Sequence, residues 1–204
     1  MRALIATVAG CIVALAAVTP AQAGLLKFAT LLSPDMGQIS SGSGTANVTF
    51  DTSANTMEVI VAFSGLSSED TAAHIHCCTA APGTVGVATT LPSFPGFPLG
   101  VTSGTYDMTF DMTDAASYNA SFITASGGTT ADAEAALLAG LEGGMAYLNI
   151  HTVNYPGGEI RGFLHELVCD PANGAGCGPV PEPASLSLLG MGLLGAFAAR
   201  RRKS

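Results

Sequence analysis

Met145-Ala-Tyr-Leu-Asn-Ile-His-Thr-Val-Asn-Tyr-Pro-Gly-Gly-Glu-Ile-Arg-Gly-Phe-Leu164 reads as two strands joined by a tight turn. Successive side chains of a strand point to opposite faces. Leu148 and Ile150 therefore face a core, while Tyr147, Asn149 and His151 face away from it. Across the turn Ile160 and Leu164 face the core, which puts Glu159, Arg161 and His165 outward. The connector Asn154-Tyr-Pro-Gly-Gly158 supplies residues that tolerate positive φ and a proline that presets its own.

The same alternation extends upstream. Apolar and polar residues take turns in Lys27–Leu32, Thr45–Phe50, Thr56–Phe63, Ala72–Cys77 and Gly104–Met112, separated by Gly, Pro and Ser clusters. With Met145–Thr152 and Gly158–Glu166 they predict an all-β, antiparallel sandwich. Val59, Val61 and Phe63 alternate with Ile60 and Ala62, an apolar run that predicts a strand buried on both faces. Asp51-Thr-Ser-Ala-Asn55 reads as a hairpin turn. One short inserted helix is expected at Ala131–Leu141, capped by Thr129 with Asp132 three residues on, and with Ala136, Leu137 and Leu141 inward. Pro82 to Gly100 holds four prolines and four glycines and reads as a long loop or lid.

Parity also places the chemistry. In Ala72-Ala-His-Ile-His-Cys77 the two histidines share one face. If the strands carrying His74, His76 and His151 are neighbours, three histidines and a carboxylate lie together, within reach of the Pro-rich loop. Three imidazoles suit copper or zinc, which take nitrogen ligands at about 2.0 Å. Glu159 and Arg161, two apart on one face, read as a structural ion pair. Asp107, Asp111 and Asp114 lack the glycine and terminal glutamate of a calcium loop and read as a solvated face. No G-x-S-x-G and no P-loop occurs.

The ends carry addresses. Arg2, an apolar run from Ala3 to Val18, and Ala21-Gln-Ala23 predict a signal peptide over residues 1–23, cut by signal peptidase. Val180-Pro181-Glu182-Pro183 precedes an apolar stretch, 184–199, and then Arg200, Arg201, Arg202 and Lys203. This stretch predicts a C-terminal membrane anchor with its basic end cytoplasmic. Between the ends, Gly24 to Val180 holds two basic and 14 acidic residues, a net charge of −12. Phosphate binding needs clustered Lys and Arg, so nucleic acid is excluded as a partner. Cys77, Cys78, Cys169 and Cys177 are an even set in an oxidising compartment, and three pairings are open. The flexible loop between Cys169 and Cys177 favours that pair, leaving Cys77 and Cys78 as a vicinal bridge or as thiols.

Two resemblances follow from these residues. The order V-P-E-P, apolar helix, R-R-R-K resembles the PEP-CTERM sorting signal of Gram-negative bacteria. It implies processing near Pro181, Glu182 and Pro183 by a membrane protease of the exosortase type, display on the cell surface or in the extracellular matrix, and exopolysaccharide as a partner. A-H-I-H followed by L-N-I-H-T-V-N-Y-P-G-G-E-I-R-G-F-L resembles the CHRD domain, which implies an extracellular β-sandwich. Its H-x-H strand is similar to the copper-ligand strand of Cu,Zn superoxide dismutase, with His151 as the later third ligand. No histidine stands between His76 and His151, so that enzyme's bridging and zinc ligands are missing. The expected organisation is signal peptide 1–23, CHRD domain 24–167, linker 168–180 and sorting signal 181–204. The first expected function is a non-enzymatic surface or matrix module; the second is copper binding or copper redox chemistry through His74, His76 and His151.

Overall fold

The structure is a computed structural model and describes residues 24–35, 37–168 and 178–179. The signal peptide, the Cys169–Cys177 pairing, the apolar stretch 184–199 and the sorting residues 181–183 and 200–202 lie outside the described residues. Among the described residues no helix is long and apolar enough to cross a membrane.

Nine strands form one curled, antiparallel sheet: β1 (Leu25–Pro34), β2 (Ser43–Asp51), β3 (Thr56–Ser64), β4 (Asp70–Cys77), β5 (Gly104–Asp111), β6 (Ala146–Thr152), β7 (Ile160–Phe163), β8 (His165–Val168) and β9 (Gly178–Pro179). Its path runs β4-β6-β7-β1-β2-β3-β5, with β8 on β1 and β9 on β8. The curl comes from β1, which pairs with β2 over Leu25–Leu32 and then passes to β7 at Ser33 and Pro34. The strand expected at Gly158–Glu166 divides at Leu164: β7 pairs with β6, and β8 crosses to β1. Two layers thus face each other, as in a sandwich closed along one edge.

Phe28, Val48, Phe50, Val59 and Val61 meet Ala73, Ile75, Leu148, Ile150 and Ile160 in the core, all of them buried. The strand β3 is buried on one face only. Ile60 is 38% exposed, and Ala62 is also exposed, because no layer among the described residues covers the outer side of β2, β3 and β5. Asn55 takes φ 52° at the expected hairpin turn.

Among the described residues two α-helices are present where one was expected. The first, α1, spans Ala120–Ser126 and is capped by Asn119, whose side chain accepts from the Ser121 amide. The second, α2, spans Thr130–Glu142, with the Thr129 hydroxyl accepting from the Asp132 amide. Its inward residues are Ala133, Leu137, Gly140 and Leu141, not Ala136, at the spacing that keeps one helical face on a core. Gly140 has a steric reason: a methyl there would run into the sulfurs of Cys77 and Cys78, which form a disulfide against this helix. The bridge lies on the core side of β4, away from the histidines. The acids expected on a solvated face are exposed. Asp111 and Asp114 accept amide bonds from Thr113 and Ala116 and so close local turns.

Candidate metal centre

The site stands on β4 and β6, which pair with Ala72 opposite His151, His74 opposite Asn149 and His76 opposite Tyr147. The two-residue period puts His74, His76 and His151 on one face, and the register brings them together. Ring centroids are 5.2 Å apart for His74 and His151, 5.7 Å for His76 and His151, and 6.0 Å for His74 and His76. One ring nitrogen from each lies within 4.8 Å of the other two. Among the described residues no carboxylate or thiol joins this group.

The expected lid covers the face. Between Pro82 and Gly100 the chain is pinned from both sides. Phe94 and Phe97 are buried, with Phe94 5.7 Å from Tyr106 and 5.5 Å from Phe110. Thr89 and Ser93 hydroxyls accept the Ile75 and Ala73 amides along the edge of β4. The loop thereby satisfies an edge strand that would otherwise be open. It also brings two carbonyls over the histidines.

Those carbonyls set the tautomers. His74 Nε2 donates to Pro92 O at 2.6 Å, His76 Nδ1 to Val85 O at 2.8 Å, and His151 Nδ1 to Pro156 O in the β6–β7 turn at 2.9 Å. A carbonyl can only accept, so each bonded nitrogen carries the proton and the other presents a bare lone pair. These are His74 Nδ1, His76 Nε2 and His151 Nε2, all buried and all without a hydrogen-bond partner. Burial pushes the three imidazoles below their ordinary range, His74 to about 4. Neighbouring charge adds to this: His151 and His76 act on His74, and His151 and Arg161 act on His76, against the opposing pull of the carbonyl bonds. At neutral pH the lone pairs are therefore available.

Tyr147 supports the arrangement. Its ring stacks on His76 at 4.8 Å and 8°, and Arg161 lies 5.1 Å from its centroid. The hydroxyl accepts from Val85 N at 3.2 Å and donates to Val85 O at 3.3 Å, the same carbonyl that fixes His76. Parity had already placed Tyr147 on the histidine face.

Glu159 and Arg161 depart from expectation. The carboxylate of Glu159 is fully buried and away from the histidines. It accepts from Ser40 Oγ, the Ser67 amide, Ser67 Oγ and Thr152 Oγ1 at 2.5–2.9 Å. Burial pushes its pKa up, but these bonds outweigh burial and leave it lowered. Arg161 pairs with Asp35 at 2.8 Å, not with Glu159, and donates to the Pro82 and Gly83 carbonyls. Glu159 lies in the turn before β7, where Gly158 takes φ 119° and strand parity does not apply. His165 is exposed on β8, apart from the cluster.

The described residues thus form a curled all-β domain with a loop closed over three histidines of one sheet face. Residues 28–164 match the CHRD domain and residues 179–203 match the PEP-CTERM protein-sorting motif. The chain belongs to the CHRD domain family, and its second motif marks an exported protein processed by an exosortase at the membrane and sent to the cell surface. No curated protein and no solved structure matches it.

Proposed function

We propose that this chain is a surface-displayed module that holds one transition-metal ion, copper or zinc, between His74 Nδ1, His76 Nε2 and His151 Nε2. The observation that carries this reading is the set of three buried lone pairs with no protein partner, each on a ring oriented by a carbonyl on its other nitrogen. Buried polar atoms are nearly always satisfied, so three orphans converging on one point call for a ligand. A carbonyl on the far nitrogen is the usual support of a metal-bound histidine. Bonds of about 2.0 Å require nitrogens roughly 3.3–3.5 Å apart, so the ion would draw in rings that now span up to 4.8 Å.

Binding is the role this reading assigns to the cluster; the acid nearest in the motif, Glu159, has its oxygens engaged by Ser40, Ser67 and Thr152. The remaining organisation follows the sequence: leader 1–23 removed, domain 24–167, linker 168–180, and a tail that anchors transiently before release into an extracellular, exopolysaccharide-rich matrix of a Gram-negative cell.

Metal content of the purified protein, loaded with copper or zinc and then desalted, tests the reading. About one ion per chain is expected. It should vanish in His74→Ala/His76→Ala while circular dichroism stays native. No bound ion, or equal content in the variant, would leave a purely structural or adhesive module.

A further inference from the structure

Resting on the histidine cluster as a metal site, we propose that it selects monovalent copper over Cu(II) and Zn(II), with Arg161 acting through Tyr147 as the specificity-determining residue. Imidazole alone does not separate copper from zinc, so charge and coordination number decide. All three donors are neutral, and no carboxylate or thiol joins them among the described residues. The bound ion therefore keeps its full charge: one unit for Cu(I), two for Cu(II) or Zn(II). The cost of taking an ion out of water rises with the square of its charge. His74 and His76 are only 4% and 8% exposed beneath the loop, so that cost is felt here.

A fixed cation sharpens the difference. Tyr147 carries the Arg161 guanidinium 5.1 Å from its centroid and the His76 ring at 4.8 Å, so the charge lies within about 10 Å of that imidazole. At an effective dielectric of about 20, one unit charge at this distance shifts a binding constant by on the order of tenfold per unit of ion charge. Asp35, 2.8 Å from Arg161, offsets most of that charge. The domain's acids attract any cation, but across solvent they are screened beyond about 8 Å. Coordination number adds a smaller difference: three nitrogens complete a trigonal Cu(I) site, whereas Zn(II) or Cu(II) would carry a water in as fourth ligand, as three-histidine zinc sites do.

The test is an anaerobic competition titration of the purified protein with Cu(I) against bicinchoninate, and with Cu(II) and Zn(II) against a chromogenic chelator. It is run on the wild type and on an Arg161→Met/Asp35→Asn double variant, which removes both charges so that neither is stranded. The wild type is expected to bind Cu(I) most tightly, and the double variant to narrow its margin over Zn(II) by about twofold, the remainder after Asp35 offsets most of the Arg161 charge. A second measurement needs no variant: the copper reduction potential of the wild type should stand above that of copper in imidazole solution. Tighter Zn(II) or Cu(II) binding, a lowered potential, or an unchanged margin in a folded double variant would overturn the selectivity while leaving the site. Failure of all three ions to bind would overturn the site itself.

Discussion

The hairpin of β6 and β7 carries two buried polar clusters on either side of one turn, and they are opposites. Around Glu159, four donors from Ser40, Ser67 and Thr152 converge on one carboxylate. Around His151, three buried ring nitrogens from three strand positions have no hydrogen-bond partner within the protein. The first cluster is complete within the protein and ties the β6–β7 turn to the segments before β2 and after β3. The second is incomplete, and its orientation is held by the loop and turn carbonyls. Burial is common to both, so the useful distinction is whether the polar atoms find partners. A closed network serves the fold; the open one, held rigid, is what the proposed metal site rests on.

The largest break in this contrast comes at the closed cluster. Glu159→Ala strands four donors and is expected to destabilise the protein by about 3 kcal/mol or more, read as a fall in the urea midpoint at unchanged slope. His74→Leu in the metal-free protein should change that midpoint little, because it loses one carbonyl bond but also removes an orphan nitrogen. A stable Glu159→Ala protein would mean that its four bonds are replaced by water and that the contrast is false.

Acid separates the two clusters next. In the metal-free protein burial holds His74 at about 4, below the ordinary value near 6.5. Protonation therefore favours the unfolded chain. The stability tied to the neutral ring is complete above pH about 6.5 and is lost as pH falls toward 4, about 3 kcal/mol in total. Glu159 is lowered from its ordinary value of 4.5, so its contribution persists through most of that window and is lost as pH falls from there through its own lowered pKa. Urea midpoints between pH 7 and 4 should decline in the wild type and decline less in His74→Leu.

Smaller changes sharpen the boundary of the open cluster. Tyr147→Phe keeps the stack on His76 but removes both hydroxyl contacts with Val85. It should cost about 1 kcal/mol of stability and about tenfold in metal affinity, since the carbonyl that orients His76 is loosened. Thr129→Ala, which removes the cap of α2, should also cost about 1 kcal/mol yet leave metal affinity unchanged. Equal effects of the two variants on affinity would show that the site responds to global stability alone.

Much of the site was legible because period-2 parity is a short-range rule. His74, His76, His151 and Tyr147 fall on one face by counting along two strands, and only the pairing of β4 with β6 had to be supplied by the fold. The tautomers were not legible, because Pro92, Val85 and Pro156 reach the rings through irregular backbone. Glu159 was misplaced because parity was carried one residue past the strand, into a turn. Arg161 was given the wrong partner because Asp35 is remote in sequence and arrives only when β1 passes to β7. The two-faced reading of β3 failed for a different reason: Ile60 and Ala62 are apolar, but no layer among the described residues covers them. The helix α1 escaped notice because Ala120–Ser126 is short and weakly amphipathic, although Asn119 was a cap signal.

The most direct measurement is ¹⁵N NMR of the histidine rings, assigned in the metal-free protein and again with Cu(I) or Zn(II), both diamagnetic. Large shifts are expected at His74 Nδ1, His76 Nε2 and His151 Nε2, with His74 Nε2, His76 Nδ1 and His151 Nδ1 still protonated and His165 unmoved. Shifts at the carbonyl-bonded nitrogens, at His165 alone, or at none of the rings would contradict the three open lone pairs as a metal centre.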